Sequence, residues 1–221
     1  ADNTALKVLS VSGPITFTEV MPNGHSVSNH TGTYFKPAAT NAIKIGADGT
    51  LVTNSTSNVV FDVARITFDG TIAPTVVNTS GTVTIQPVGN QFENAVSLAG
   101  LSISNTATGL TIGKPTNTAN VTFATATSIA GPIAAYGGTI TLNANLTTTN
   151  NGNISLYTDN ALGGLSTART LSAAGAFKYI PRGTSFAAAV TYPIANLSAT
   201  CTGLTIGNVT NDNDITINAD V

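Results

Sequence analysis

The hexapeptide TGLTIG occurs twice in this chain, at Thr108–Gly113 and at Thr202–Gly207, 94 positions apart. The flanks match at the same offset. Pro87, Gly89, Phe92, Ala95 and Val96 return as Pro181, Gly183, Phe186, Ala189 and Val190. Ser104, Thr106, Thr116, Asn117 and Thr122 return as Ser198, Thr200, Thr210, Asn211 and Thr216. That makes 16 identities over the 45 ungapped pairs from Val83 to Thr127. Ile103/Leu197, Val121/Ile215 and Phe123/Ile217 keep the apolar positions in phase. An internal repeat limits the fold to architectures that stack or string similar units.

Composition selects the type of unit. Charged residues are only 8% of the chain against 42% hydrophobic, whereas an ordinary soluble domain carries about 25% charge. Thr, Asn and Ser therefore supply the polar surface. Thr and Val suit a pleated, half-buried surface, and Asn, Gly and Thr disfavour helix interiors. No stretch sustains a 3.6-residue period. The expectation is all-β. In Thr139-Ile140-Thr141-Leu142-Asn143-Ala144-Asn145-Leu146 the apolar residues fall on one face and Thr and Asn on the other.

Two all-β architectures fit a 94-residue unit. One is a parallel β-helix, or β-solenoid, whose coils each hold a few short strands. The other is a pair of tandem immunoglobulin-like sandwiches. The strand-like triplets at Val83, Leu101, Val121 and Ile140 start 18, 20 and 19 residues apart. That regular step favours the solenoid and suggests about five rungs per repeat. The repeat divides the chain into 1–80, 81–176 and 177–221: an N-terminal β region (cap or diverged repeat), copy one, and the start of copy two. The first region holds His25, His30, the single methionine and the charges Lys7, Glu19, Lys36, Lys44, Asp48 and Asp62, and it does not align at the 94-residue offset.

The formal net charge is −2, with eight cations scattered along the chain. Nucleic-acid binding, which needs clustered Lys and Arg to neutralise phosphates, is not expected. No apolar run approaches the roughly 20 residues of a membrane-spanning helix. The opening ADNTALKVLS lacks the features of a secretory signal, so any such signal is expected to have been removed or to lie upstream. Cys201 has no partner for an internal disulfide and reads as a small buried residue at the position of Ala107.

Reactive groups are thinly spread. Asp62 and Asp69 flank a strand pattern and read as solvated strand-end residues; Glu93 becomes Ala187 in the second copy, so the repeat does not require it. His25 and His30 lie in a polar loop without further metal-type ligands nearby. Ser185 has no histidine near it in sequence. Asn211-Asp212-Asn213-Asp214 alternates oxygens as a calcium loop begins, yet lacks the glycine and distal glutamate of the helix–loop–helix motif; a polar turn is expected. Asn54, Asn145 and Asn196 begin Asn-x-Ser/Thr triplets that composition alone explains. No catalytic, cofactor-binding or metal residue is therefore assigned, and no cofactor is expected.

Three motifs carry a resemblance: LTIGKPTNTANVTFATATSIAGPIAAYGG (110–138), TITLNANLTTTNNGNISLYTDNALGG (139–164) and FKYIPRGTSFAAAVTYPIANLSATCTGLTIG (177–207). Residues 83–221 resemble the long repeats of SprB-type giant cell-surface adhesins of gliding Bacteroidetes and, more loosely, filamentous-haemagglutinin-like adhesins. The resemblance implies an extracellular protein of the bacterial cell surface, exported by type IX secretion, that contacts polysaccharide or solid surfaces. It implies no catalytic residues. The functional expectation is a non-enzymatic adhesin segment: a stiff β spacer with multivalent weak binding to glycans or surfaces. A self-assembling filament subunit and a carbohydrate-active β-helix enzyme are the alternatives.

Overall fold

The computed structural model describes residues 15–17, 32–35, 42–45, 50–55, 58–68, 75–166 and 169–218. The chain winds as a parallel β-solenoid with three strand-bearing faces per coil. One face is an eight-stranded sheet of β2 (Gly32–Phe35), β5 (Asn58–Asp62), β8 (Thr82–Gln86), β11 (Gly109–Ile112), β14 (Ile133–Tyr136), β17 (Ile154–Tyr157), β19 (Ala176–Ile180) and β21 (Gly203–Ile206), in that spatial order. The second face carries β1 (Ile15–Phe17), β3 (Ala42–Ile45) and β6 (Arg65–Phe68), then β9 (Val96–Ser97), β12 (Val121–Phe123) and β15 (Ile140–Leu142), and finally β20 (Val190–Pro193) and β22 (Ile215–Asn218). The third carries β4 (Thr50–Ser55), β7 (Thr75–Thr79) and β10 (Leu101–Ile103), then β13 (Thr127–Ile129), β16 (Leu146–Thr148) and β18 (Leu171–Ser172). A single short 3-10 turn, Ile194–Asn196, is the only helical element among the described residues.

Every strand pairing among the described residues is parallel. That sets aside the tandem-sandwich alternative, whose sheets are antiparallel. From β5 to β21 the long sheet steps six times. Pairing runs from β2 through β8 without interruption, and β4 and β7 pair on to β10, so two of the sheets continue across residue 80.

The expected five rungs per repeat are corrected to four. Leu110 pairs with Ile133, Ile133 with Ile154, Ile154 with Phe177, and Phe177 with Leu204. Ninety-four residues are thus four coils, and partners in register on the long sheet lie 21 to 27 residues apart. The triplets at Val83, Leu101, Val121 and Ile140 sit on three different faces. Three strands per coil make similar triplets recur more often than the coil itself.

Alternation along each strand builds the core in columns. Val59, Val83, Leu110, Ile133, Ile154 and Phe177 stack in register on the inner side of the long sheet, each at most 1% exposed. Phe61, Ile85, Ile112, Ala135, Leu156 and Tyr179 form a second column, fully buried. Fully burying one such side chain contributes about 1.5 to 3 kcal/mol. At the corners the abundant asparagines bond from coil to coil. The Oδ1 atoms of Asn58, Asn120, Asn145 and Asn153 accept the backbone N–H of Thr82, Thr139, Thr170 and Ala176 at 2.8–3.0 Å. Such bonds satisfy backbone donors where the ladder stops.

Several of the repeated identities are corner residues, beside the core and strand positions of β9, β11 and β12. Asn117 Oδ1 accepts from Phe92 N at 3.1 Å, and Asn211 Oδ1 from Phe186 N at 3.0 Å. Thr116 Oγ1 donates to Asn90 O, and Thr210 Oγ1 to Thr184 O, each at 2.6 Å. Thr106 and Thr200 donate to the carbonyls of Thr79 and Ala173. The glycine ending each hexapeptide has positive φ, 80° at Gly113 and 83° at Gly207, a conformation in which a Cβ is strained. A Cβ on Gly113 would also lie 2.5 Å from Tyr136 O. The twin hexapeptides therefore occupy equivalent places, four coils apart.

Candidate binding face

On the long sheet the residues between the core columns point outward. Val60, Thr84, Thr111, Ala134, Ser155, Lys178 and Thr205 form one register column, half-buried except for the exposed Thr205. Successive members lie about 4.8 Å apart, the spacing of hydrogen-bonded strands. Lys178 is the single charge in this column. The second face presents Ser97, Thr122 and Thr141 in register, and the third Ser128, Thr147 and Ser172. Flat strands that repeat in register thus turn a Thr- and Ser-rich sequence into rows of hydroxyls.

Beside the Lys178 column the chain places Tyr136 next to Tyr157. Their rings stack, 4.5 Å between centroids and 8° between planes. Burial, followed by the charge and hydrogen bond of Tyr157, pushes the Tyr136 phenol up from its ordinary value. Ile180 continues the row on one side. On the other side the position opposite Tyr136 is Gly113, which has no side chain, so the aromatic stack ends there. The result is an apolar, ring-shaped island in a hydroxyl-lined, nearly uncharged plane.

The residues singled out in the sequence are dispersed. Asp62 is buried at 6% exposure, a correction to its reading as a solvated strand end: it closes β5 in register with Gln86, which places it inside the coil stack. Asp69, His25, His30 and Asn54 lie outside the residues whose side chains are described. Glu93 forms a half-exposed ion pair with Arg65 at 3.0 Å. Ser185 Oγ donates to Asn211 Oδ1 and accepts from Asp212 N, a corner role. In the Asn211–Asp214 run the asparagines turn to corner bonds, Asn211 Nδ2 to Asn213 O and Asn213 Nδ2 to Phe186 O, while Asp212 and Asp214 are exposed. Strand-like alternation divides the four side chains between two directions. Cys201 is half-buried, not buried as Ala107 is, because its coil is the last one described and nothing described stacks beyond it.

Two of the Asn-x-Ser/Thr asparagines are structural. Asn196 is 1% exposed, and its Nδ2 donates to Ser166 O and Arg169 O; Asn145 accepts from Thr170 N. Among the described residues no three His, Cys, Asp or Glu side chains gather as a metal-ligating group, and no helix is long and apolar enough to cross a membrane. No family model, curated protein or solved structure matches the chain. Its function is read from geometry.

Two features escaped the sequence reading. The tyrosine pair is invisible until the 21-residue step between Ile133 and Ile154 is known; the shared strand endings IAAY and ISLY were the available signal. The other is Arg182, which donates to Asp159 Oδ2 and to Asn117 O, both at 2.8 Å. Asn117 is 65 residues away in sequence, so the guanidinium reaches past the adjacent coil.

Proposed function

We propose that this chain is a non-enzymatic segment of a secreted bacterial cell-surface adhesin, a stiff β-solenoid spacer that holds neutral polysaccharide on its long sheet. The observation that carries this reading is the outward face of that sheet: hydroxyls in register, one lysine, and the stacked Tyr136–Tyr157 pair. An aromatic ring offers a sugar's C–H face an apolar partner, and hydroxyls meet its hydroxyls. Each contact is weak, and repetition along the axis multiplies it. Low charge makes such binding insensitive to salt. The buried or paired Asp62, Glu93 and Asp159 serve structure in this reading, so the face holds ligand without cleaving it.

Binding to a panel of insoluble and soluble neutral polysaccharides tests this. The wild-type chain binds at least one of them, and a Tyr136→Ala/Tyr157→Ala double variant binds about tenfold more weakly, the effect of losing an aromatic anchor worth over 1 kcal/mol. Affinity holds at about 0.5 M salt, where the screening length falls to a few ångströms. Binding unchanged in the double variant, binding lost in salt, or release of oligosaccharide products would each overturn the proposal. An unaltered urea midpoint in the variant shows that the scaffold remains intact.

A further inference from the structure

The internal repeat identifies what fits the open side of the last described coil. In copy one, β11 and β12 are covered by the next coil: Leu110 is 1% exposed, and Ile112, Asn117 and Phe123 are fully buried. The equivalent residues of copy two lie on the last described coil. Leu204, Ile206, Asn211 and Ile215 are only half-buried there, and Ile217, the counterpart of Phe123, is 51% exposed. These chains of contact are otherwise the same, since the corner bonds of Asn117 and Thr116 recur at Asn211 and Thr210.

We infer that the face formed by β21 and β22 is a docking surface for one further parallel β-coil with aliphatic residues at alternate inward positions, in the pattern Ile133-Ala134-Ala135-Tyr136. In copy one that strand lies in register on Leu110, Thr111 and Ile112. Pro132 O accepts from Leu110 N at 2.9 Å, Tyr136 O accepts from Asn117 Nδ2 at 2.7 Å, and Ala107 O and Ala119 O accept from Gly131 N and Gly138 N at 3.0 Å. Leu204 N, Asn211 Nδ2, Cys201 O and Asn213 O hold the same places on copy two, with no described strand beyond them. Asn120 Oδ1 accepts Thr139 N from the covering coil; Asp214 stands at that position in copy two, and its carboxylate offers the same acceptor with a charge, a stronger bond of the same kind. The aliphatic face and the polar corner are thus laid out together for a backbone that arrives in parallel register. A lipid or a detergent chain would use the first and leave the second unmatched.

The test adds the coil. At the 94-residue offset, positions 219–221 correspond to 125–127, so residues 128–160 fused directly after Val221 of the full chain continue the register. The urea midpoint rises, and the amides of Leu204 and Ile206 exchange at least about tenfold more slowly, as they do when a fraying end becomes interior. The same fusion carrying Ile133→Asp and Ala135→Asp in the added coil shows neither effect. Equal protection from both fusions, or none from either, overturns the inference. Concentration-dependent oligomers of the parent chain that Ile217→Asp abolishes would replace the coil with a second copy; binding to phosphatidylcholine vesicles that the same substitution abolishes would replace it with lipid.

Discussion

At the corner after β11, Asn117 accepts from Phe92 N in the preceding coil and donates to Ala119 O in its own and Tyr136 O in the following one. One amide thereby ties three coils. Asn117→Ala removes the acceptor of the Phe92 and Ala119 N–H groups and a donor to Tyr136 O, while Ala119 O keeps its bond from Gly138 N. A buried group left unpartnered costs about 1 to 3 kcal/mol, and the expected loss is about 3 kcal/mol by urea unfolding. Asn211→Ala, at the same corner of the half-exposed final coil, loses no bond to a following coil and should cost about half as much. Equal losses at the two sites would show that burial is not what gives the corner its energy. Arg182→Ala should cost about 1.5 to 3 kcal/mol, the range for hydrogen bonds to a charged group, since its side chain is only 13% exposed. The repeated asparagine was legible in the sequence as a repeated letter. Its role was not, because an amide's partners here lie 19 and 25 residues away and only the coil length brings them within reach.

Strand alternation was the element that sequence alone described well. The pattern Thr139-Ile140-Thr141-Leu142 puts Ile140 and Leu142 in the core and Thr141 outside, as the buried and half-buried positions of β15 show. Coil length was read less well, because three faces carry similar triplets and a linear spacing does not reveal which face each belongs to. For the same reason the Tyr136–Tyr157 pair on the candidate face could not be seen: neither strand carries a label of its neighbour. Inside the coil of β19 and β20, Phe177 stacks on Tyr192 at 5.3 Å and Tyr179 packs on Phe186 at 4.7 Å. Burial pushes the phenols of Tyr179 and Tyr192 well above the ordinary 10.0. Below pH 10 both states keep these protons and the contribution is constant. Above it the unfolded chain releases them while the folded chain retains them, so stability falls as pH rises, by up to ~1.4 kcal/mol per pH unit for each phenol. Urea midpoints measured from neutral pH upward should therefore be flat to about pH 10 and then decline. Tyr192→Phe should shallow that decline without loss at neutral pH, because the Tyr192 hydroxyl is buried without a hydrogen-bond partner. Tyr179→Phe should shallow it at a cost of about 1 kcal/mol, since Tyr179 Oη donates to Asn160 O at 2.7 Å.

At the scale of the molecule, a solenoid whose strands pair only with those of adjacent coils should be divisible at equivalent points. The 94-residue offset supplies such points. Excising residues 109–202 joins Thr108 to Gly203 and rebuilds the hexapeptide without a changed letter. Leu204 and Ile206 of β21 then face Val83 and Ile85 of β8 in place of Leu110 and Ile112, which make those contacts in register now. Leucine replaces leucine and isoleucine replaces isoleucine, so the core columns continue through the junction. The shortened chain should fold with a β-type spectrum and unfold in one transition, with a urea slope about 40% smaller because that slope follows the surface exposed. Excising residues 109–203 instead shifts the junction by one position and turns Leu204 and Ile206 toward solvent, which register arguments make strongly unfavourable; that variant should be less stable than the in-register excision by several kcal/mol. If the two excisions behave alike, the repeat does not set register and the four-coil equivalence of the hexapeptides fails. The in-register variant also lacks Tyr136 and Tyr157, so a chain that folds yet no longer binds polysaccharide would place the binding in the removed coils, whereas retained binding would assign it to the coils that remain.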